Sequence, residues 1–208
     1  MIFNKRYFEN VFRREDPWGY RVCQYEMTKH QRQTELINEK YGNPASILEI
    51  GCAEGAHTVT LTETFPNASI LAVDISPKAI KRAREACSGK SKVEFKEVDI
   101  TRSFSEAGLA GRRFDVVIQS ESLYYMFPTL FIKAALLRYL RDLSSTMHPG
   151  SVFVTSNGLH LPTKLIVGMF YRMMETRANL IHASMHHEWN EVRSKCETYD
   201  IRLYRLRS

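Results

Sequence analysis

Beyond residue 45 the chain switches repeatedly between short, nearly continuous apolar runs and longer stretches in which apolar positions recur every three or four residues. Runs of the first kind suit strands covered on both faces, and stretches of the second kind suit helices lying on them. The spacing predicts strands at 46–50, 69–73, 92–98, 113–119 and 151–155. Helices are predicted from a glycine turn at 51–55 to about residue 65, over 77–86, and over 128–147. Ser76 before Pro77 strengthens the second of these, because a serine cap and a proline at the first helical position satisfy or remove amides that have no partner within the helix. Pro149 and Gly150 are predicted to break the third.

On either side of this rhythm the pattern changes. Residues 20–40 carry mixed charge at helical spacing and end at Tyr41-Gly42-Asn43-Pro44, where glycine and proline oppose continuation. Downstream, 161–179 and 188–199 read as helices and 201–206 alternates as a last strand with one apolar face. Strands alternating with helices predict an α/β fold with a doubly wound, mostly parallel sheet. The expected organisation is a helical N-terminal cap over 1–44 and one compact domain over 45–208, consistent with a total of 208 residues.

Composition narrows the class without naming a function. With 44% apolar and 25% charged residues the chain can build a core, which excludes disordered and fibrous classes. Its longest strongly apolar stretch, 165–171, is flanked by Lys164 and Arg172 and falls far short of the roughly 20 residues that cross a bilayer. The first residues lack the apolar core of a secretory signal, and Cys23, Cys52, Cys87 and Cys196 form no CxxC pair, so a cytoplasmic protein with free thiols is expected. Net charge is +6, yet the basic residues are dispersed among acids, so nucleic acid is not the expected partner. His182 and His186 have the spacing of a helical metal pair, but no further ligand cluster accompanies them and no metal is expected.

Chemistry concentrates at strand ends. Gly51 and Gly55 follow the first strand, where glycine lets the backbone turn sharply and approach a ligand, and the next helix presents free amides. Asp74 ends the second strand, where an acid accepts hydrogen bonds from both hydroxyls of a ribose. Dehydrogenases share these two features, but here the GxGxxG spacing is not met and no second domain remains for a substrate.

The segment Glu49-Ile50-Gly51-Cys52-Ala53-Glu54-Gly55 resembles the first motif of class I S-adenosylmethionine-dependent methyltransferases, with Ala53 in place of the middle glycine. Asp99 with Ile100 is similar to the position in that family that meets the adenine, and Pro149-Gly150 matches a further family signature. The resemblance implies a Rossmann-like class I methyltransferase sheet and S-adenosylmethionine as cofactor. It implies cofactor contacts from Glu49, Gly51, Cys52, Ala53, Gly55, Asp74, Ile75, Asp99 and Ile100, with Ser120 and Leu123 near the methionine portion. Glu121, Tyr124 and Tyr125, just after the fourth strand, are implied to face the acceptor. Only 201–206 remains after the last predicted helix, so a six-stranded or shortened sheet is expected where the family usually ends in two strands.

The opening Tyr7-Phe8-Glu9-Asn10-Val11-Phe12-Arg13, with Asp16-Pro17-Trp18 and Tyr25-Glu26, resembles the nodulation protein S family of N-methyltransferases, which methylate the free amine of a deacetylated chito-oligosaccharide. That implies a small-molecule acceptor with an amine. Trp18, with Tyr20 or Tyr25, is placed either as an aromatic lid suited to a sulfonium cation or as a staple for the first helix. An amine must lose a proton before it reacts, and Glu121, a histidine or water can take it. Two rivals stand beside this reading. One is hydroxyl methylation of a small natural product; the other is a silent binding module that docks a partner through Met169, Phe170, Met173 and Met174. A homodimer is compatible with either.

Overall fold

The computed structural model describes residues 4–102, 104–105, 108–126, 132–160 and 163–207. Two helices, α1 (Lys5–Val11) and α2 (Gln24–Lys40), precede the sheet. Then follow β1 (Ser46–Ile50), α3 (Ala56–Thr64), β2 (Ser69–Asp74), α4 (Pro77–Ala86), β3 (Val93–Glu97) and β4 (Phe114–Ser120). The rest comprises α5 (Leu123–Met126), α6 (Ile132–Ser145), β5 (Met147–Gly158), α7 (Thr163–Met174), β6 (Ala178–Asn190) and β7 (Lys195–Leu206). The seven strands form one sheet in the order β3-β2-β1-β4-β5-β7-β6. β1 to β5 pair in parallel, while β7 runs antiparallel to both β5 and β6.

Alternation within each strand sends side chains to two separate cores. Leu48, Ile50, Leu71, Val73, Val117 and Phe153 pack toward α6 and α7. Ile47, Ile70, Val116, Ile118, Val152 and Val154 pack toward α2 and α3. Because strand order reverses direction between β1 and β4, their carboxyl ends leave a crevice, the usual ligand position in an open α/β sheet.

Two sequence expectations fail here. The predicted helix at 188–199 and the predicted six-stranded sheet give way to a hairpin of β6 and β7. Along β6 the alternation is inverted, with apolar residues such as Met185 and Trp189 exposed and polar ones such as His182, Ser184, His186 and Glu188 half-buried, so it does not read as a strand with an apolar inner face. The four-residue turn at 191–194 contains no glycine or proline; Ser194 takes the left-handed conformation at φ 50° and Asn190 Oδ1 accepts from the Arg193 N–H at 2.9 Å. Four residues along a strand span about 13 Å, so His182 and His186 cannot share an ion. The helix predicted to 179 stops at Met174, and residues 161–162 of that expectation lie outside the described residues. Residues 128–131 of the helix predicted over 128–147 also lie outside them.

Pro149 and Gly150 sit inside β5, not between a helix and a strand. Pairing jumps from Phe114↔Met147 to Val116↔Val152, so the extra residues form a bulge, with Gly150 at φ 86°. The proposed docking residues are core: Phe170 and Met174 are fully buried, and Met169 and Met173 pack against the same cluster. Among the described residues no helix is long and apolar enough to cross a membrane.

Candidate functional site

Two clefts open over the carboxyl ends of the strands and share a wall. The first receives residues from the ends of four strands: Ile50 and Gly51 at the end of β1, Asp74 and Ile75 at the end of β2, Asp99 and Ile100 beyond β3, Ser120 and Glu121 at the end of β4. Its outer side is closed by Phe8, Phe12, Trp18 and Tyr20 of the N-terminal segment. Trp18 packs edge-on to Phe12 at 5.1 Å and stacks on Tyr20 at 5.6 Å.

The turn after β1 works by backbone geometry. Gly51 lies at φ 78°, and a Cβ there would stand 2.9 Å from Ser122. Ala53 is left-handed as well, at φ 48°, a conformation that is strained for a residue with a side chain. Its N–H donates to Asp74 Oδ2 at 3.0 Å, while Oδ1 accepts from the Ser76 N–H at 2.9 Å. The Asp74 carboxyl is therefore fixed in plane. Burial lifts its pKa to about 6 against these amides, which favour the ionised form. Asp99 also lines the cleft, with Oδ1 accepting from both the N–H and the hydroxyl of Thr101.

Four predicted cofactor residues lie elsewhere. Glu49 and Cys52 line a smaller neighbouring cavity with His30 and His57. Glu49 is buried and accepts from the Thr58 hydroxyl at 2.6 Å, and burial raises its pKa to about 8. His30 and His57 stack with ring centroids 4.6 Å apart, and burial pushes His57 down to about 3. Gly55 caps α3 at φ 81°, where a Cβ would meet Ala83 at 3.1 Å, so its bareness lets α3 approach α4. Leu123 is fully buried in the core.

The second cleft is polar. Glu121, Tyr124 and Tyr125 all line it, joined by Tyr25, Glu26 and Lys29 of α2 and by Arg193 and Glu197 of the β6–β7 hairpin. Trp18, Tyr20, Glu121 and Tyr125 line both clefts and form the shared wall. Glu121 is left-handed at φ 51°, and its side chain is held from three directions. Oε1 accepts from Lys29 at 2.7 Å; Oε2 accepts from the Tyr124 hydroxyl at 2.5 Å and the Gly158 N–H at 3.1 Å. Burial opposes its charge, but Lys29 and these donors outweigh it and hold the carboxyl below the ordinary glutamate range.

Lys29 is 1% exposed and was not anticipated from the sequence. It contacts Glu26 Oε2 at 2.6 Å and lies over the rings of Tyr25 and Tyr199 at 4.9 and 5.5 Å. Burial alone would lower its pKa, yet Glu121 and Glu26 raise it, so the ammonium is permanent near neutrality. A signal existed: Glu26, Lys29, His30 and Gln33 occupy the buried stripe of α2, where apolar residues belong. Polar residues at core positions of an amphipathic helix mark a site or a buried network.

The nodulation protein S (NodS) family model matches residues 3–156. Nodulation protein S of Bradyrhizobium diazoefficiens is 28% identical over 151 residues, covering 73% of this chain and 66% of that protein. Nodulation protein S of Rhizobium tropici is 30% identical over 134 residues, covering 64% of this chain and 53% of that protein. The chain thus spans just under two thirds of the first relative and about half of the second. Among solved structures, the N-methyltransferase NodS from Bradyrhizobium japonicum WM9 in complex with S-adenosyl-L-homocysteine superposes with a TM-score of 0.80 at 19% identity, covering 98% of both chains. The superposition includes α7 and the β6–β7 hairpin, which the family model leaves unmatched, and the fold is that of a class I methyltransferase. The chain belongs to the nodulation protein S family.

Proposed function

We propose that the protein transfers the methyl group of S-adenosylmethionine to the nitrogen of a small-molecule amine. The observation that carries this reading is the wall that the two clefts share: an apolar cleft built on strand ends meets a polar, carboxylate-lined cleft at Trp18, Tyr20, Glu121 and Tyr125. The residues fit the cofactor. The Gly51 turn admits close approach, the fixed Asp74 carboxyl suits two vicinal hydroxyls, and Ile75, Val98 and Ile100 offer an apolar slot for a base. Trp18 and Tyr20 present aromatic faces that suit a sulfonium cation.

S-adenosylmethionine supplies a methyl group already activated by positive sulfur. What remains for the chain is to align a neutral nucleophile and exclude water, which is where proximity and desolvation contribute. The aromatic N-terminal segment covers the first cleft, tied down by Glu54, which accepts from the Asp16 N–H at 2.9 Å and from Arg21 at 3.0 Å. Glu121, ionised and immobile, fixes a negative charge at the shared wall that favours an acceptor bearing N–H donors. The kinship with an N-methyltransferase in complex with S-adenosyl-L-homocysteine supports the same assignment.

The test combines calorimetry with S-adenosylhomocysteine and transfer of labelled methyl to a panel of primary amines and phenols. Saturable binding with methylated amine is the expected result. Transfer to phenols alone would replace it with O-methylation, and binding without any transfer would indicate a silent module.

A further inference from the structure

The second cleft contains three carboxylates, and their surroundings separate them. Glu197 accepts from Arg193 on both oxygens, at 2.9 and 3.0 Å, and from the Asn190 amide at 3.0 Å. Glu121 is occupied by Lys29, Tyr124 and Gly158, as described above. Glu26 differs. It is 2% exposed, and among the described groups its Oε2 meets only the Lys29 ammonium, at 2.6 Å. A buried carboxylate oxygen with unused capacity is costly unless a donor arrives.

We propose that Glu26 is the residue that takes the proton from the acceptor's ammonium group, held in place for this by Lys29. This rests on the amine-methylating reading above. Local charge supports it: Glu26 and Glu121 around Lys29 leave one unit of negative charge, Arg193 beside them being itself paired with Glu197, and an incoming ammonium neutralises that triad. In the step itself one N–H bond of R–NH₃⁺ breaks and its proton bonds to a Glu26 oxygen, leaving R–NH₂ and a neutral carboxylic acid. The freed lone pair then forms the N–CH₃ bond as the S–CH₃ bond breaks and its electrons remain on sulfur. Proton transfer turns four buried ions into one ion pair and two neutral groups, a favourable change in a low-dielectric cleft.

The groups that face Glu26 agree with this division. On its own helix stands Lys29; from the N-terminal segment comes Tyr20, from the end of β4 Glu121, and from the β6–β7 turn Arg193. Burial raises the Glu26 pKa and Glu121 adds to it, with Lys29 and Arg193 opposing, whereas Glu121 itself is held low. Two neighbouring carboxyls with pKa values pushed apart divide into one that keeps its charge and one that exchanges a proton.

The experiment measures methyl transfer to glucosamine, ethanolamine and benzylamine between pH 6 and 10, using wild-type protein, Glu26→Gln and Glu26→Asp. With an amine that the wild type methylates, Glu26→Gln should lower kcat about 100-fold or more at pH 7 and recover as pH nears the amine's own pKa. Glu26→Asp should restore part of the neutral-pH rate. Affinity for S-adenosylhomocysteine should stay within about threefold in both variants, which also shows that they fold. A Glu26→Gln profile that matches wild type, or a loss equal at every pH, overturns the assignment of Glu26. Wild-type protein that binds S-adenosylhomocysteine yet methylates none of the amines overturns the underlying reading and this inference with it.

Discussion

The two clefts are built by different means. Apart from the N-terminal cover of Phe8, Phe12, Trp18 and Tyr20, the walls of the first come from the carboxyl ends of β1, β2, β3 and β4, and each of those residues lies within five residues of its strand's end. Its polar content is small, and Asp74 at the end of β2 is fixed by backbone amides. The second is assembled from α2, α5, the end of β5 and the β6–β7 hairpin, segments drawn from residue 18 to residue 198. Sheet pairing sets the end of β5 beside β7, with Gly158 opposite Tyr199, but α2 is tied in by the ion pair of Lys29 with Glu121. Damage to the first cleft should therefore stay local, whereas damage to the second should spread through a charge network.

The sharpest way to break that contrast is to remove the network's cation. Lys29→Met leaves Glu26 and Glu121 buried without their counter-charge, and breaking one side of a buried ion pair typically costs about 3–5 kcal/mol. Denaturant unfolding should show a loss of about 3 kcal/mol, reduced where the carboxyls take up protons. S-adenosylhomocysteine binding to the folded variant should change little. A loss below about 1 kcal/mol would mean that the second cleft is held by packing instead.

The same division explains what the sequence makes legible. A chain of strand, turn and helix writes its periodicity into hydropathy, and Ser46–Ile50, Ser69–Asp74 and Pro77–Ala86 emerge within a residue of their predicted bounds. Residues at those strand ends follow automatically, which is why Gly51, Asp74, Asp99 and Glu121 meet at one crevice. The hairpin writes its pattern inverted, because β6 exposes its apolar residues and half-buries its polar ones, and its turn relies on Ser194 where glycine would signal. Lys29 was hidden differently. A lysine in a mixed-charge helix looks solvated, and only the neighbouring buried stripe of Tyr25, Gln33, Leu36 and Ile37 indicates that it points inward.

For the first cleft, the expected effects are smaller and confined to cofactor affinity. Asp74→Ala should weaken S-adenosylhomocysteine binding by about 1–3 kcal/mol through loss of charge-assisted hydrogen bonds. Its stability against denaturant should fall less than that of Lys29→Met. The raised pKa gives a second check with a definite sign. Hydroxyl donors need the ionised carboxylate, so affinity should be level above about pH 6 and fall as pH drops through it, by up to tenfold per unit. Calorimetry from pH 5 to 8 measures both. An affinity that improves on acidification would place the ribose away from Asp74.

The smallest effect should come from the wall itself. Tyr125 stands edge-on to Phe8 at 5.5 Å and tilts against Tyr124 at 4.6 Å, contacts made by its ring. Tyr125→Phe keeps the ring and removes only the hydroxyl, so affinity for S-adenosylhomocysteine should stay within about threefold, less than 1 kcal/mol. Turnover should fall if the hydroxyl orients the acceptor across the wall. Tyr124→Phe acts on the other side, because its hydroxyl donates directly to Glu121 and helps hold that carboxyl low. Losing the donor should raise the Glu121 pKa and move the acid limb of kcat/KM upward, while Tyr125→Phe leaves that limb in place. If instead both variants lose cofactor affinity and turnover in equal measure, the wall is part of the first cleft alone, and the two clefts are not the separate constructions that their architecture indicates.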